Sequence, residues 1–451
     1  MVNILTLLEC IESDLSKTDL RRISRIVQAM LSMSGRVTML GLSRWAGQGG
    51  SYRTVQRFFN AVICWPNLFC QFFRRHLYRP GGEYLLVGDE SVVTKAGHET
   101  HGLDYFFSGL LNKVVKGISI FTLSLVCVEE RRSHPLRVEQ VIRTEAEKAA
   151  AKERKQKRTK KDKSAPKKKR GRPKGSRNRA KSQVELSPEL QRIQEMVKKQ
   201  LEMLQNWLSV RYLVLDGHFG NKHALQMTLQ CGLQLISKLR YDAALSFVYE
   251  GKQKRKGPRK KYGQKIDYRN IPDEYLVEKS TPEGIETRID QAQMLHHEFA
   301  QLLNVVSITK INLRTGAFAN VNLFSSDLEL SSAKIIDFYS LRFQIEFNFR
   351  DAKQFWGLED FMNVKEVPLT NALNVSLFMV NLSQVLLREF QETHPNSGIL
   401  DLKAHFRAAK YFEETIKMLP QKPEPILLEQ IFAQLTTVGS IHAVNVHPSP
   451  P

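Results

Sequence analysis

Five residues in the stretch Tyr339-Ser-Leu-Arg342-Phe-Gln-Ile-Glu346-Phe-Asn-Phe-Arg350-Asp-Ala-Lys353 have types and spacing suited to phosphate chemistry. Tyr339, Arg342, Glu346, Arg350 and Lys353 lie at offsets 0, 3, 7, 11 and 14. At about 100° per residue they share one polar stripe, roughly 80° wide, on a helix predicted over about 331–355. Phe338, Leu341, Ile345, Phe349 and Trp356 form a neighbouring apolar stripe that would pack on a core. One acid among a tyrosine and three cations could bind a metal ion while the cations grip phosphate. The plainer reading is a salt-bridged surface helix. The choice turns on whether other acids join Glu346.

Two other acids have the right setting. Asp89 follows the apolar run Tyr84-Leu-Leu-Val-Gly, and Asp216 follows Tyr212-Leu-Val-Leu. Each reads as the end of a short strand, and in an α/β sheet that edge is where sites gather. Taken alone, an acid there is commonly a turn or cap residue. If the two strands are neighbours and the 331–355 helix crosses them, Asp89, Asp216 and Glu346 converge. Three carboxylates would repel unless cations lie between them. Oxygen ligands suit Mg²⁺ or Mn²⁺. Two such ions about 4 Å apart can support in-line displacement at phosphorus.

The elements that must hold these residues read as follows. Residues 1–80 are helical. Thr38–Ala46 forms a helix, Gly47-Gln-Gly-Gly a turn, and Ser51–Ala61 a second helix with Ser51 as its N-cap. That arrangement is compatible with a helix-turn-helix, with Arg53, Gln56 and Arg57 on one face to reach DNA and Phe58 and Phe59 as anchors. Strands follow at Asp104–Leu110 and Ile118–Val128, a helix at Pro188–Leu208, a helix at Asn221–Gln230 and a strand at Gln234–Leu239. Residues 240–330 read as a β-rich insertion that carries a basic run, Lys252–Lys261. The segment 370–451 is mostly helical.

The formal charge of +21 points to a polyanionic partner. Much of it sits in residues 145–181, where 18 Lys/Arg stand against 4 Asp/Glu with no large apolar side chain, the composition of a disordered arm. Inside lies Lys169-Arg170-Gly-Arg172-Pro-Lys-Gly, which is similar to an AT-hook; Arg170 and Arg172 would enter a narrow minor groove. A generic polybasic tether is the alternative. The five cysteines show no paired spacing, which argues against a disulfide framework or Cys-based zinc site and fits a reducing cytosol. The N-terminus lacks a basic n-region and reads as a poor signal peptide. The apolar run Ile118–Val128 is too short to span a bilayer, so no membrane partner is expected. His98 and His101 lack zincin spacing, His218 reads as a turn residue beside Asp216, and the Gly47–Gly50 turn lacks the strand and lysine of a P-loop.

Tyr339, Arg342, Glu346 and Lys353 fit the spacing Y-x2-R-x3-E-x6-K. This resembles the YREK signature of bacterial insertion-sequence transposases of the DDE type, and Asp89 and Asp216 agree with it in order and context. The resemblance covers most of the chain. It implies an α/β, RNase H-like mixed sheet flanked by helices, interrupted by a β-rich insertion, with helical N- and C-terminal regions. By that resemblance Asp89, Asp216 and Glu346 would ligate two Mg²⁺ ions, with Mn²⁺ able to substitute. Tyr339, Arg342 and Lys353 would hold phosphates of the transposon end, with Arg350 as a further phosphate contact by helical phase. The expected partners are double-stranded DNA, as terminal inverted repeats and target, and a second copy of the chain on DNA. The expected location is the bacterial cytoplasm, on the nucleoid.

The implied organisation is a DNA-binding domain at 1–80, a first part of the catalytic core at 81–239 with the basic arm at 145–185, the insertion at 240–330, the acidic helix and its flank at 331–370, and a helical domain at 371–451 as a possible dimerisation unit. Two departures stand out. The basic arm is not general to the family, and no Trp lies between Trp207 and Trp356 to stack on a flipped base. The rival readings are an RNase H-like nuclease without strand transfer and a non-catalytic AT-rich DNA-binding protein.

Overall fold

The computed structural model describes residues 3–109, 111–149, 153, 181–421 and 423–442. One hydrogen-bonded sheet of twelve strands runs through it. In chain order the strands are β1 (Tyr84–Thr94), β2 (Asp104–Ser108), β3 (Lys113–Cys127), β4 (Arg132–Val141), β5 (Tyr212–Val214), β6 (Gln234–Leu239), β7 (Leu245–Val248), β8 (Tyr262–Lys265), β9 (Leu276–Ser280), β10 (Ile285–His296), β11 (Leu302–Asn312) and β12 (Phe318–Ser325). The helices are α1 (Ile4–Leu8), α2 (Lys17–Ser32), α3 (Met39–Trp45), α4 (Tyr52–Phe59), α5 (Trp65–His76), α6 (Pro188–Leu204), α7 (Lys222–Gln230), α8 (Ser332–Leu341), α9 (Gln344–Phe355), α10 (Glu366–Thr393), α11 (Ile399–Met418) and α12 (Pro425–Thr437).

The sheet order is β2-β3-β1-β5-β6-β12-β11-β10-β7-β8, with β4 on β3 and β9 on β10. Among the described residues only β1–β5 and β5–β6 are parallel pairs. The fold is therefore the mixed α/β sheet with flanking helices that the sequence implies. Residues 117–127 of β3 are buried without alternation. That pattern follows because both faces of this part of the sheet are covered, by α6 against β3 and by α5 and α10 against its neighbour β4.

Several boundaries differ from the sequence reading. Asp89 does not end its strand: β1 continues to Thr94, because β3 offers backbone partners all the way from Asp89↔Thr122 to Thr94↔Gly117. The expected strand at Ile118 starts earlier, at Lys113. β4 was not expected at all. Its Pro135 lies where the β3–β4 register shifts, on a strand whose other edge is free of strands, which is where a sheet tolerates proline. The strands of 240–330 exist, but they continue the central sheet through the antiparallel pair β12–β6 and do not form a separate layer. The start of the basic arm is ordered: 145–149 are helical, and Thr144 and Glu147 cap each other's backbone N–H. The rest of that arm, with Arg170 and Arg172, lies outside the described residues.

The first 80 residues share a core with the C-terminal helices. Trp65 packs on Phe378, with ring centroids 6.0 Å apart, and its indole N–H donates to Asn371 Oδ1 at 2.7 Å. Asn371 in turn donates to the carbonyls of Phe59 and Ala61, closing the end of α4. α10 has the length and apolarity of a membrane span, yet 89% of its most apolar window is buried, so it serves as the core helix of this unit.

Candidate active site

Asp89 and Asp216 are brought together by strand register. The last parallel partners of β1 and β5 are Val87 and Val214. Each aspartate lies two residues beyond its partner, so the two carboxylates leave the sheet side by side. β5 stops at Val214, and Asp216 caps the short turn Gly217–Phe219, its carboxylate accepting the His218 backbone N–H at 3.1 Å. Ser237 of β6 donates to the Asp216 carbonyl at 2.7 Å and fixes the turn from below. Gly220 closes it. A Cβ there would collide with the backbone oxygen of Lys238, so the turn approaches β6 as only glycine allows.

Glu346 arrives from a broken helix. The single helix expected over 331–355 is two, α8 and α9, with a tighter turn between them. Arg342, Phe343, Ile345 and Glu346 donate their backbone N–H groups to residues three positions back. Such bonds rotate the chain by about 120° per residue in place of 100°. The predicted apolar stripe survives the break: Phe338, Leu341, Ile345, Phe349 and Trp356 are all buried. Asn348, on the same side, donates to the hydroxyls of Ser133 at 2.8 Å and Ser124 at 3.4 Å, anchoring α9 to β3 and the chain entering β4. The sequence reading missed Asn348. Its signal was an amide on an apolar stripe.

Arg342 stands between two of the acids. Its Nη1 donates to Asp89 Oδ2 and its Nη2 to Glu346 Oε1, both at 3.0 Å. Burial lifts the Asp89 carboxyl to about 6; Arg342 and the Glu90 backbone N–H pull it down, and Asp216 and Glu346 push it further up. Burial opposes the Arg342 charge, and Asp89, Tyr339 and Glu346 more than offset it. The Tyr339 hydroxyl is raised by burial; Arg342 lowers it, and Asp216 and Asp89 raise it. Asp89, Asp216, Glu346, Tyr339 and Arg342 thus form one electrostatic cluster. Lys353 reaches the same strand, its Nζ donating to the Val92 carbonyl at 3.1 Å while pairing with Glu359 at 3.2 Å.

Arg350 does not join this cluster. It pairs with Asp351 at 2.9 Å and lies over the Phe347 ring. It lines a cleft between α9 and the C-terminal helices. His218 is half of a pair with Glu189, 3.7 Å away, and Glu189 foremost raises its pKa. Arg53, Gln56 and Arg57 share the exposed face of α4, while Val55, Phe58 and Phe59 are buried beneath it.

The donor set fits a divalent cation in kind. Three carboxylates offer oxygen ligands, and the high pKa of Asp89 records a site that would gain from more positive charge. It is not a preassembled cage. Among the described residues no three acids, histidines or cysteines are grouped as a metal site, and the Arg342 guanidinium bridges Asp89 and Glu346.

Residues 7–297 match the family described as DDE superfamily endonuclease. The match spans more than half of the chain, and the chain belongs to that family. It is a nuclease- or transposase-type enzyme whose substrate is DNA and whose chemistry relies on divalent metal. The matched segment holds Asp89 and Asp216 and stops before Glu346. No individually curated protein matches the chain.

Proposed function

We propose that the protein is a DNA transposase that cuts at transposon ends and transfers the freed strand into target DNA by the cut-and-paste route. The observation that carries this reading is the Arg342 bridge from Asp89 to Glu346, with Asp216 in register beside Asp89. In this reading Asp89, Asp216 and Glu346 hold Mg²⁺, or Mn²⁺ in its place. Bound there, the cations would supply positive charge that polarises the phosphodiester and favours loss of a proton from the attacking water or hydroxyl.

The chain's own groups position the DNA. The Lys353 ammonium and Tyr339 hydroxyl hold phosphates flanking the cut. Arg342 is released from the carboxylates to grip phosphate, which suits its planar fork. Water attacks phosphorus in line, the P–O3′ bond breaks, and a 3′-hydroxyl leaves. That hydroxyl then attacks a target phosphodiester, forming one P–O bond as another breaks, so no external energy source enters. The α3–α4 pair reads the end through Arg53, Gln56 and Arg57, and the AT-hook-like Arg170 and Arg172 enter a minor groove. Two copies act on paired ends, with residues 371–451 contributing to their contact. The setting is the bacterial cytoplasm.

The test is cleavage of a supercoiled plasmid bearing the element's own ends, with Mg²⁺, comparing the native chain with Glu346→Gln. Cutting at the ends by the native chain alone, followed by joining of a pre-cut end to target DNA, is the expected result. Cutting without joining would leave a nuclease. Binding without cutting by either protein would favour a non-catalytic DNA binder.

A further inference from the structure

The strongest charge concentration among the described residues outside the acid cluster is the β7–β8 hairpin. Lys252, Lys254, Arg255, Lys256, Arg259, Lys260 and Lys261 lie within ten residues that contain no acid. All are exposed. Among the described residues none of the seven has an acidic partner; the ion pairs nearest in sequence are Arg240–Asp242 and Lys279–Glu286.

This is a built element. The Gln253 side chain donates to the Lys260 carbonyl at 2.8 Å and accepts the Lys260 N–H at 2.9 Å, so it laces the two strands of the loop. Lys260 Nζ lies 4.3 Å from the centre of the Tyr249 ring. Gly257, at φ +101°, makes the tip before Pro258. Holding seven like charges on one hairpin is unfavourable without a counter-charge.

A second observation points the same way. Lys181 Nζ donates to the Tyr262 hydroxyl of β8 at 2.9 Å. Lys181 directly follows residues 154–180, which carry fifteen Lys/Arg and one acid, Asp162. Lys181 thus adds an eighth cation at the base of the hairpin.

We propose that the β7–β8 hairpin, with Lys181 at its base, is a docking surface for the backbone of duplex DNA, distinct from the acid cluster. Its position favours a duplex as the occupant. Seven strand steps separate β8 from β1 in the sheet. At about 4.8 Å per step the hairpin lies on the order of 30 Å from the Asp89 strand. That is close to one turn of B-DNA, about 34 Å, so a duplex crossing the sheet offers the same side of its backbone at both places. The proposal rests on the transposase reading only for the site of cutting. Its main readout is binding, so it stands or falls apart from catalysis.

The experiment uses the full chain and the quadruple variant Lys254→Gln, Arg255→Gln, Lys256→Gln, Arg259→Gln, with equal melting temperatures as the check on folding. Affinity for a 40-bp duplex of arbitrary sequence is measured from about 50 to 200 mM salt. The expected result is at least tenfold weaker binding and a log–log salt slope shallower by about 3 to 4. On the element's own end, hydroxyl-radical protection about one turn from the cut should fade while protection at the cut persists. An unchanged salt slope would overturn the proposal. So would weaker binding to heparin with duplex binding intact, which would mark the hairpin as a solvated basic face.

Discussion

Arg342 Nη1 lies 3.0 Å from Asp89 Oδ2, and the same guanidinium reaches Glu346 at 3.0 Å. The cation is thus an internal counter-ion for acids on two elements, one of them 253 residues away from it in sequence. If divalent metal takes over that role, Arg342 competes with it. Arg342→Gln is expected to leave Mn²⁺ binding, followed by electron paramagnetic resonance, as tight or severalfold tighter than in the native chain. In the transposase reading, where Arg342 grips phosphate, cleavage of transposon ends should fall at least tenfold. Weaker Mn²⁺ binding in the variant would show that Arg342 organises the acids.

The raised Asp89 carboxyl makes stability depend on pH. An ordinary aspartate titrates near 3.9, and burial moves this one to about 6. The folded state therefore binds this proton more tightly than the unfolded state. Protonation adds stability as pH falls from about 6 toward 4, and that contribution is absent above 6. The difference is on the order of 2–3 kcal/mol. In metal-free buffer Asp89→Asn should gain stability relative to the native chain as pH rises from 4 to 8. A stability difference that stays flat with pH would show that Asp89 titrates normally.

Asn371 is a point of failure for the helical unit. It accepts from Trp65 and donates to the Phe59 carbonyl in buried surroundings and to the partly buried Ala61 carbonyl at the end of α4. Asn371→Leu strands these groups, each at about 1–3 kcal/mol. A loss of several kcal/mol in denaturant unfolding is expected, from a residue remote from the acids. A loss below about 1 kcal/mol would mean the unit repacks without it.

Gly220→Ala tests the Asp216 turn. The added methyl meets the Lys238 carbonyl and must push the Gly217–Phe219 turn outward. Cleavage should fall at least tenfold while binding of end DNA stays within about twofold, since the change moves one carboxylate and no DNA-facing cation. Native cleavage rates would show that the turn is free to relax.

Arg53→Ala with Arg57→Ala, on the exposed face of α4, is expected to weaken binding to the element's ends more than to random duplex. Equal losses on both DNAs in a gel-shift competition would reduce this helix to a nonspecific phosphate contact.

Local features were more legible in the sequence than the pairing of distant elements. The apolar stripe from Phe338 to Trp356 is buried as its spacing required, and β6 occupies the expected Gln234–Leu239. These features follow from periodicity, which is local. The α8–α9 break was not legible, since no proline or glycine marks it; it shows only in backbone bonds to residues three positions back. Arg350's departure from the stripe was not legible either, since it follows from its pairing with the adjacent Asp351. β4 was hidden by Pro135 and by the charges of Arg132, Arg137 and Glu139, and only pairing with β3 makes it a strand. The continuity of β12 with β6 depends on partners more than 80 residues apart, and periodicity carries no trace of it.

The stitching of the first helices to the last has a consequence for how the protein is made. Trp65 and Asn371 are 306 residues apart, and Arg407 donates to the Ser32 carbonyl across 375. On the ribosome, α2 and α5 emerge early with their apolar faces bare, and their partners appear only when translation is nearly done. Closure over such separations is slow, and chaperones would attend the waiting helices. A polypeptide cut short by premature termination would leave α2 and α5 without these partners.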